Sequence, residues 1–144
     1  METAQPSSDV ASNSKEEPLT ATCHCGRVCV QIPFKPASLN ECHCTVCYKY
    51  GALWAYFPRA KVVITTASDT TLQSYIRDDN ADGNLEFVRC AHCGCMVCWR
   101  GVGAYAATAD PEEDTGKMGV NCRMLPEKEI EGIAKRVSPG PVRK

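Results

Sequence analysis

From Leu19 onward the hydrophobic positions of this chain recur mostly with a period of two. Val28, Val30 and Ile32 alternate with Arg27, Cys29 and Gln31, the pattern of a strand with one buried face. Residues 53–65, interrupted by Pro58, read as two strands or one bent strand, and 72–77, 85–90, 96–100, 104–109 and 118–125 follow as further short strands. Residues 78–84 and 110–116, rich in Asp, Asn and Gly, supply turns between them. One segment has a helical period instead. Pro126 precedes residues 127–136, Ile130, Ile133, Ala134 and Val137 fall at helical spacing, and acidic side chains come early with basic ones late. The expectation is a mainly β chain with one short C-terminal helix.

The ends differ in character. Residues 1–18 hold Val10 as their one sizeable aliphatic side chain and cannot bury enough surface to offset ordering entropy, so they read as a disordered tail. Residues 138–144 read as a second tail, which leaves 19–137 as a single domain. A length of 144 residues, 44% hydrophobic and 23% charged, suits one core. A net charge of −1 gives no electrostatic footprint for nucleic acid. No apolar run approaches the roughly eighteen residues that span a bilayer, and the polar start is unlike a signal peptide. These features point to a cytoplasmic protein with neither a nucleic-acid nor a membrane partner.

Eleven cysteines change the picture. Seven fall into three clusters: Cys23-His24-Cys25, Cys42-His43-Cys44-Thr45-Val46-Cys47 and Cys90-Ala91-His92-Cys93. An odd count without a secretory leader argues against a disulfide framework, and cysteines at such short spacing are badly placed to bond each other but chelate a soft cation well. Iron–sulfur spacings differ from these, so zinc is expected. Structural zinc takes four protein ligands, whereas catalytic zinc keeps three and an open position. Pairing the outer clusters gives a closed site of Cys23, Cys25, Cys90 and Cys93, leaving Cys42, Cys44 and Cys47 as an open one. Ligation of the first would close a long loop, and Gly26 and Gly94 suit tight turns around the sulfurs. The three histidines read as neighbours of ligand positions that thiolates already fill. Cys29 and Cys98 read as small core residues, while Cys95 and Cys122 are candidates to approach the open site. After Cys47 comes an aromatic, partly polar run in which Tyr48, Lys49, Trp54 and Tyr56 are candidate substrate contacts. Arg89, Arg100 and Arg123 are the candidate carboxylate anchors, with Arg123 the one carried forward.

Cys-x-Cys-Gly, then Cys-His-Cys-x-x-Cys with Gly-Ala four residues on, then Cys-x-x-Cys-Gly resemble the glutathione-dependent formaldehyde-activating enzymes, whose domain also occurs in centromere protein V. The resemblance covers about residues 19–133. It implies a β-tent fold of short antiparallel sheets, a structural zinc on Cys23, Cys25, Cys90 and Cys93, and a catalytic zinc on Cys42, Cys44 and Cys47. Tyr48 stands where bacterial members usually carry a basic residue, and Cys95 stands where a small polar residue is more usual. The function expected is a zinc-dependent carbon–sulfur lyase or synthase acting on S-hydroxymethylglutathione or a larger glutathione conjugate, with two zinc ions, one of them labile. Self-association into a homo-oligomer is left open. The alternatives are a non-catalytic zinc-stapled binding module, marked by a fourth protein ligand at the second site, and a zinc- or redox-sensing protein.

Overall fold

A computed structural model describes residues 17–78, 85–102 and 116–139. The described chain is mainly β, in two open sheets. The smaller sheet is made by β1 (Leu19–Thr22), β2 (Val28–Ile32) and β5 (Val63–Thr66), ordered β1-β2-β5. The larger contains β3 (Ser38–Cys42), β4 (Trp54–Pro58), β6 (Leu72–Ile76), β7 (Leu85–Cys90), β8 (Met96–Gly101), β9 (Lys117–Asn121) and β10 (Ala134–Ser138). Its order is β10-β3-β4-β9-β8-β7-β6.

Alternation in the sequence becomes two covered faces of the larger sheet. Ala55 on β4 lies opposite Val120 on β9, Val120 opposite Cys98 on β8, and Cys98 opposite Val88 on β7, all at most 1% exposed. This row shares one core with Val28, Val30 and Ile32 of the smaller sheet. The other face carries Trp54, Tyr56, Phe87 and Trp99, and it is here that the second cysteine cluster packs. A shift of register between Val88 and Arg89 in the β7–β8 ladder accompanies a switch of face on β8: neighbouring Val97 and Cys98 both join the inter-sheet core, while Met96 turns to the aromatic side.

The bend expected at Pro58 is where the chain passes from one sheet to the other. Pro58 closes β4, a 3₁₀ turn over Arg59–Lys61 follows, and β5 then joins β2. The strand expected at 104–109 lies outside the described residues, as do 1–16 and 140–144 of the two expected tails.

Three expectations need correction. The C-terminal helix is one turn, α2 (Glu127–Ile130), and the chain turns at Gly132, with φ +81°, into β10, which runs parallel to β3. A ten-residue helix is marginal alone, and the open edge of β3 offers a row of backbone partners that wins. This pairing also makes the larger sheet mixed rather than wholly antiparallel, and it takes the last strand through Ser138. The second correction is a helix that the period of two hides: α1 (Thr45–Tyr50) inside the central cysteine cluster. The third concerns 118–125, where the strand stops at Asn121 and Cys122–Met124 form a 3₁₀ turn.

Candidate active site

Cys23 and Cys25 lie in the turn between β1 and β2, Cys90 ends β7, and Cys93 lies in the turn before β8. Gly26 and Gly94, at φ +83° and +82°, allow each knuckle to fold back, with their N–H groups donating to Cys23 O and Cys90 O. Val28 N–H donates to Cys23 Sγ at 3.3 Å and Cys93 N–H to Cys90 Sγ at 3.5 Å. The four sulfurs converge within 4.8 Å of one another although they come from both sheets. Cys23–Cys25 and Cys25–Cys90 sulfur distances are 3.6 and 3.7 Å. A tetrahedron with metal–sulfur bonds of about 2.3 Å has edges of about 3.8 Å, so the donor set fits a tetrahedral thiophilic ion. Protons are shared unequally: burial pushes the Cys23 thiol up to about 11. Cys93, against a burial penalty, is drawn down to about 5 by backbone N–H groups of Cys95 and Cys25 and by neighbouring thiols.

The second group is built differently. Cys42 ends β3, Cys44 caps α1 by accepting Cys47 N–H at 3.4 Å, and Cys47 sits in the first turn of that helix. Their sulfurs also fall within 4.8 Å of one another. Among the described residues this group has three members, and neither Cys95 nor Cys122 joins it. Cys122 is fully buried in the inter-sheet core, and Cys95 packs beside Cys93 at the other site. Cys98 is a buried core residue and Cys29 is half-buried. Hydrogen bonds, first from the Cys47 side chain and, against burial, from Cys44 N–H and the Ser138 hydroxyl, hold the Cys42 thiol down at about 5. The same bond to Cys42, with burial, pushes Cys47 up. No disulfide joins any of the eleven cysteines.

A cleft of about 160 Å³ opens over this group, walled by Cys42, Cys47, Glu41, His43, Tyr48, Gly51, Ala52 and Arg123. Of the candidate substrate contacts, Tyr48 and Arg123 stand on this wall. Tyr48 is 65% exposed and meets the His43 ring edge-on at 5.0 Å. Arg123 Nε donates to Gly51 O at 3.0 Å. Lys49, Trp54 and Tyr56 are not on the wall. Lys49 is exposed on α1. Trp54 is 1% exposed in the aromatic layer under the cysteines, and half-buried Tyr56 packs against Trp99 while its hydroxyl accepts from Asn40 Nδ2. The other two arginines are engaged elsewhere, Arg100 with Glu86 and Arg89 with Gln73.

Three residues of this site, Glu41, Asn121 and Ser138, do not stand out in the sequence, and His43, legible inside its cysteine cluster, pairs with the first of them. Glu41 Oε2 and His43 Nε2 share a 2.7 Å hydrogen bond, which holds the Glu41 carboxyl below the ordinary carboxylate range. Asn121 Oδ1 accepts from Leu53 N–H and Arg123 N–H while Nδ2 donates to Met96 O, fixing the turn that presents Arg123. Ser138 reaches the site because β10 pairs with β3, and its carbonyl accepts His43 N–H at 2.7 Å. Of the three, Asn121 alone carries a local signal, an Asn one residue before a turn. Asn40 Oδ1 and Trp54 Nε1, on cross-strand partners, are buried with no partner among the described residues.

Fold and site together define a mainly β chain with one four-cysteine and one three-cysteine group, each placed to hold a metal ion, the second facing a cleft. Residues 18–127 match the family described as glutathione-dependent formaldehyde-activating enzyme, and the chain belongs to that family. A solved structure of a Rhodobacter sphaeroides protein from structural genomics is similar in fold, with a TM-score of 0.55 at 18% identity over 82% of this chain and all of that one. No curated protein matches the sequence significantly. No helix among the described residues is long and apolar enough to cross a membrane.

Proposed function

We propose that this chain is a zinc-dependent carbon–sulfur lyase or synthase that acts on glutathione adducts, S-hydroxymethylglutathione or a larger conjugate. The observation that carries the reading is the three-cysteine group of Cys42, Cys44 and Cys47, of which Cys42 and Cys47 line a cleft with Arg123 on its wall. Cys23, Cys25, Cys90 and Cys93 would hold a structural zinc. Zinc bound by Cys42, Cys44 and Cys47 would supply charge stabilisation for a thiolate, which keeps the sulfur of glutathione nucleophilic near neutral pH or makes it a good leaving group.

The chain's own residues do the rest. Arg123, held to the wall through Gly51 O, presents a guanidinium to a carboxylate of the peptide. Glu41, kept ionised by His43, faces the cationic amino end of such a peptide. Tyr48 supplies an exposed apolar rim for the carbon group on sulfur. Trp54 and Phe87 close the inner side against water, so Trp54 and Tyr56 act as supports beneath the thiolates rather than as substrate platforms. The dependence on free thiolates suits a reducing cytoplasm.

Turnover of formaldehyde with glutathione, and of aromatic glutathione thioethers, tests the reading. Cys44→Ser is expected to abolish turnover. Arg123→Ala is expected to raise KM for the glutathione substrate by about tenfold, the scale of one lost charged hydrogen bond. Formaldehyde turnover with no thioether cleavage removes the larger conjugate, and no turnover of either substrate contradicts the lyase reading.

A further inference from the structure

Arg77 follows β6 and is 4% exposed, and among the described residues it is the buried cationic side chain. Its Nη1 lies 4.0 Å from Sγ of Cys44, itself 2% exposed and the cysteine of the three that does not line the cleft. Its backbone N–H donates to Leu85 O at 3.1 Å, which anchors the residue where the β6–β7 hairpin passes behind the cluster. The guanidinium therefore meets the cluster at the sulfur that is not part of the cleft wall.

A guanidinium keeps its proton under all ordinary conditions, so Arg77 sets a fixed positive charge beside Cys44 in a site that water does not screen. Three thiolates around a divalent cation leave one net negative charge, and a fourth thiolate arriving from the cleft would add another. Among the described residues, the lysine and arginine side chains other than Arg77 are half-buried or exposed. Arg123, on the cleft wall, is exposed to solvent that screens it.

We propose that Arg77 is a positioning residue: its guanidinium is the buried counter-charge that holds Cys42, Cys44 and Cys47 in their metal-retaining form and lets the site accept an anionic sulfur. The inference rests on the metal-site reading above and adds to it a residue far from the cysteines in sequence. Arg77 touches a metal ligand, not the substrate, and so acts through Cys44.

Competition between the protein and a chromophoric zinc chelator at pH 7 measures retention of the first and second zinc equivalents. In Arg77→Met, with far-UV circular dichroism as in the wild type, the second equivalent should be held about tenfold or more weakly while the first is unchanged. Arg77→Lys should recover part of that loss, because it keeps the charge without the planar fork. Arg77→Gln, which keeps a donor without the charge, should behave as Arg77→Met and serves if the methionine variant does not fold. Wild-type retention in a folded Met or Gln variant, or a Lys variant as weak as either, overturns the proposal. A wild-type chain that binds no second zinc overturns the metal-site reading as well, so the two failures are distinguishable.

Discussion

At Asn121 one buried side chain ties three segments around the cleft: the start of β4 through Leu53, the turn carrying Arg123, and β8 through Met96. Asn121→Ala strands Leu53 N–H and Met96 O in a buried setting, which costs about 2–4 kcal/mol at the usual penalty for unpaired backbone groups. Chemical denaturation measures this, and an unchanged midpoint would show that other groups or water replace the amide. Residues of this kind are hard to read from sequence because their partners, Leu53 and Met96, are set by the fold and lie 68 and 25 positions away. The cysteines are the opposite case. Cys-x-Cys and Cys-x-x-Cys encode a chelate within a few residues, so their grouping is legible in the sequence alone, whereas Arg77 and Glu41 resemble ordinary surface charges there. Trp54 is legible as a large apolar residue but not as one turned under the site, because one residue of register decides which face of a strand a side chain takes.

Among elements, α1 escapes the sequence pattern, whereas α2 is legible in it but ends sooner than its period suggests. In α1 the cysteine pattern masks the helix: its cap is Cys44, a residue type that does not ordinarily signal a helix start, and only Gly51 after the last turn, whose N–H returns to Cys47 O and Tyr48 O, is an ordinary boundary signal. In 127–136 the helical period is real, yet propensity loses to an edge that only the assembled sheet presents. That edge has consequences for the site. Register pairs Ala134 with Ser38 through Ser138 with Cys42, so β10 ends on the cysteine cluster. Deleting residues 134–144 removes this ladder and the Ser138 contacts to Cys42 and His43. A loss of roughly 2–4 kcal/mol is expected from a few net hydrogen bonds, together with weaker retention of metal at Cys42, Cys44 and Cys47. Thermal melts with metal analysis check both, and a truncated chain that matches the full one in each would show β10 to be dispensable.

For the whole molecule, the two cysteine groups differ in what they join. Cys25 and Cys90 are 65 positions apart, and their group links the turn of the smaller sheet to the β7–β8 hairpin of the larger. Apparent zinc binding in small domains is on the order of 10 kcal/mol, comparable with a domain's entire stability, so Cys90→Ser should leave the chain largely unfolded. Cys44→Ser removes a ligand from a group formed by neighbours in sequence and should keep native circular dichroism while losing about one zinc. Equal unfolding of the two variants would mean that the second group is structural as well. The alternating strands make the mainly β class and most strand positions legible, but not which strands share a sheet, since that follows from long-range pairing such as β2 with β5. The proposed function requires that a zinc held by Cys42, Cys44 and Cys47 keep one position open to the sulfur of glutathione. X-ray absorption at the zinc edge, recorded with and without glutathione, tests it directly. A non-sulfur ligand present without glutathione is expected to be replaced by sulfur when glutathione is added, and an unchanged spectrum showing both zincs already four-coordinate through protein atoms would contradict the proposed function.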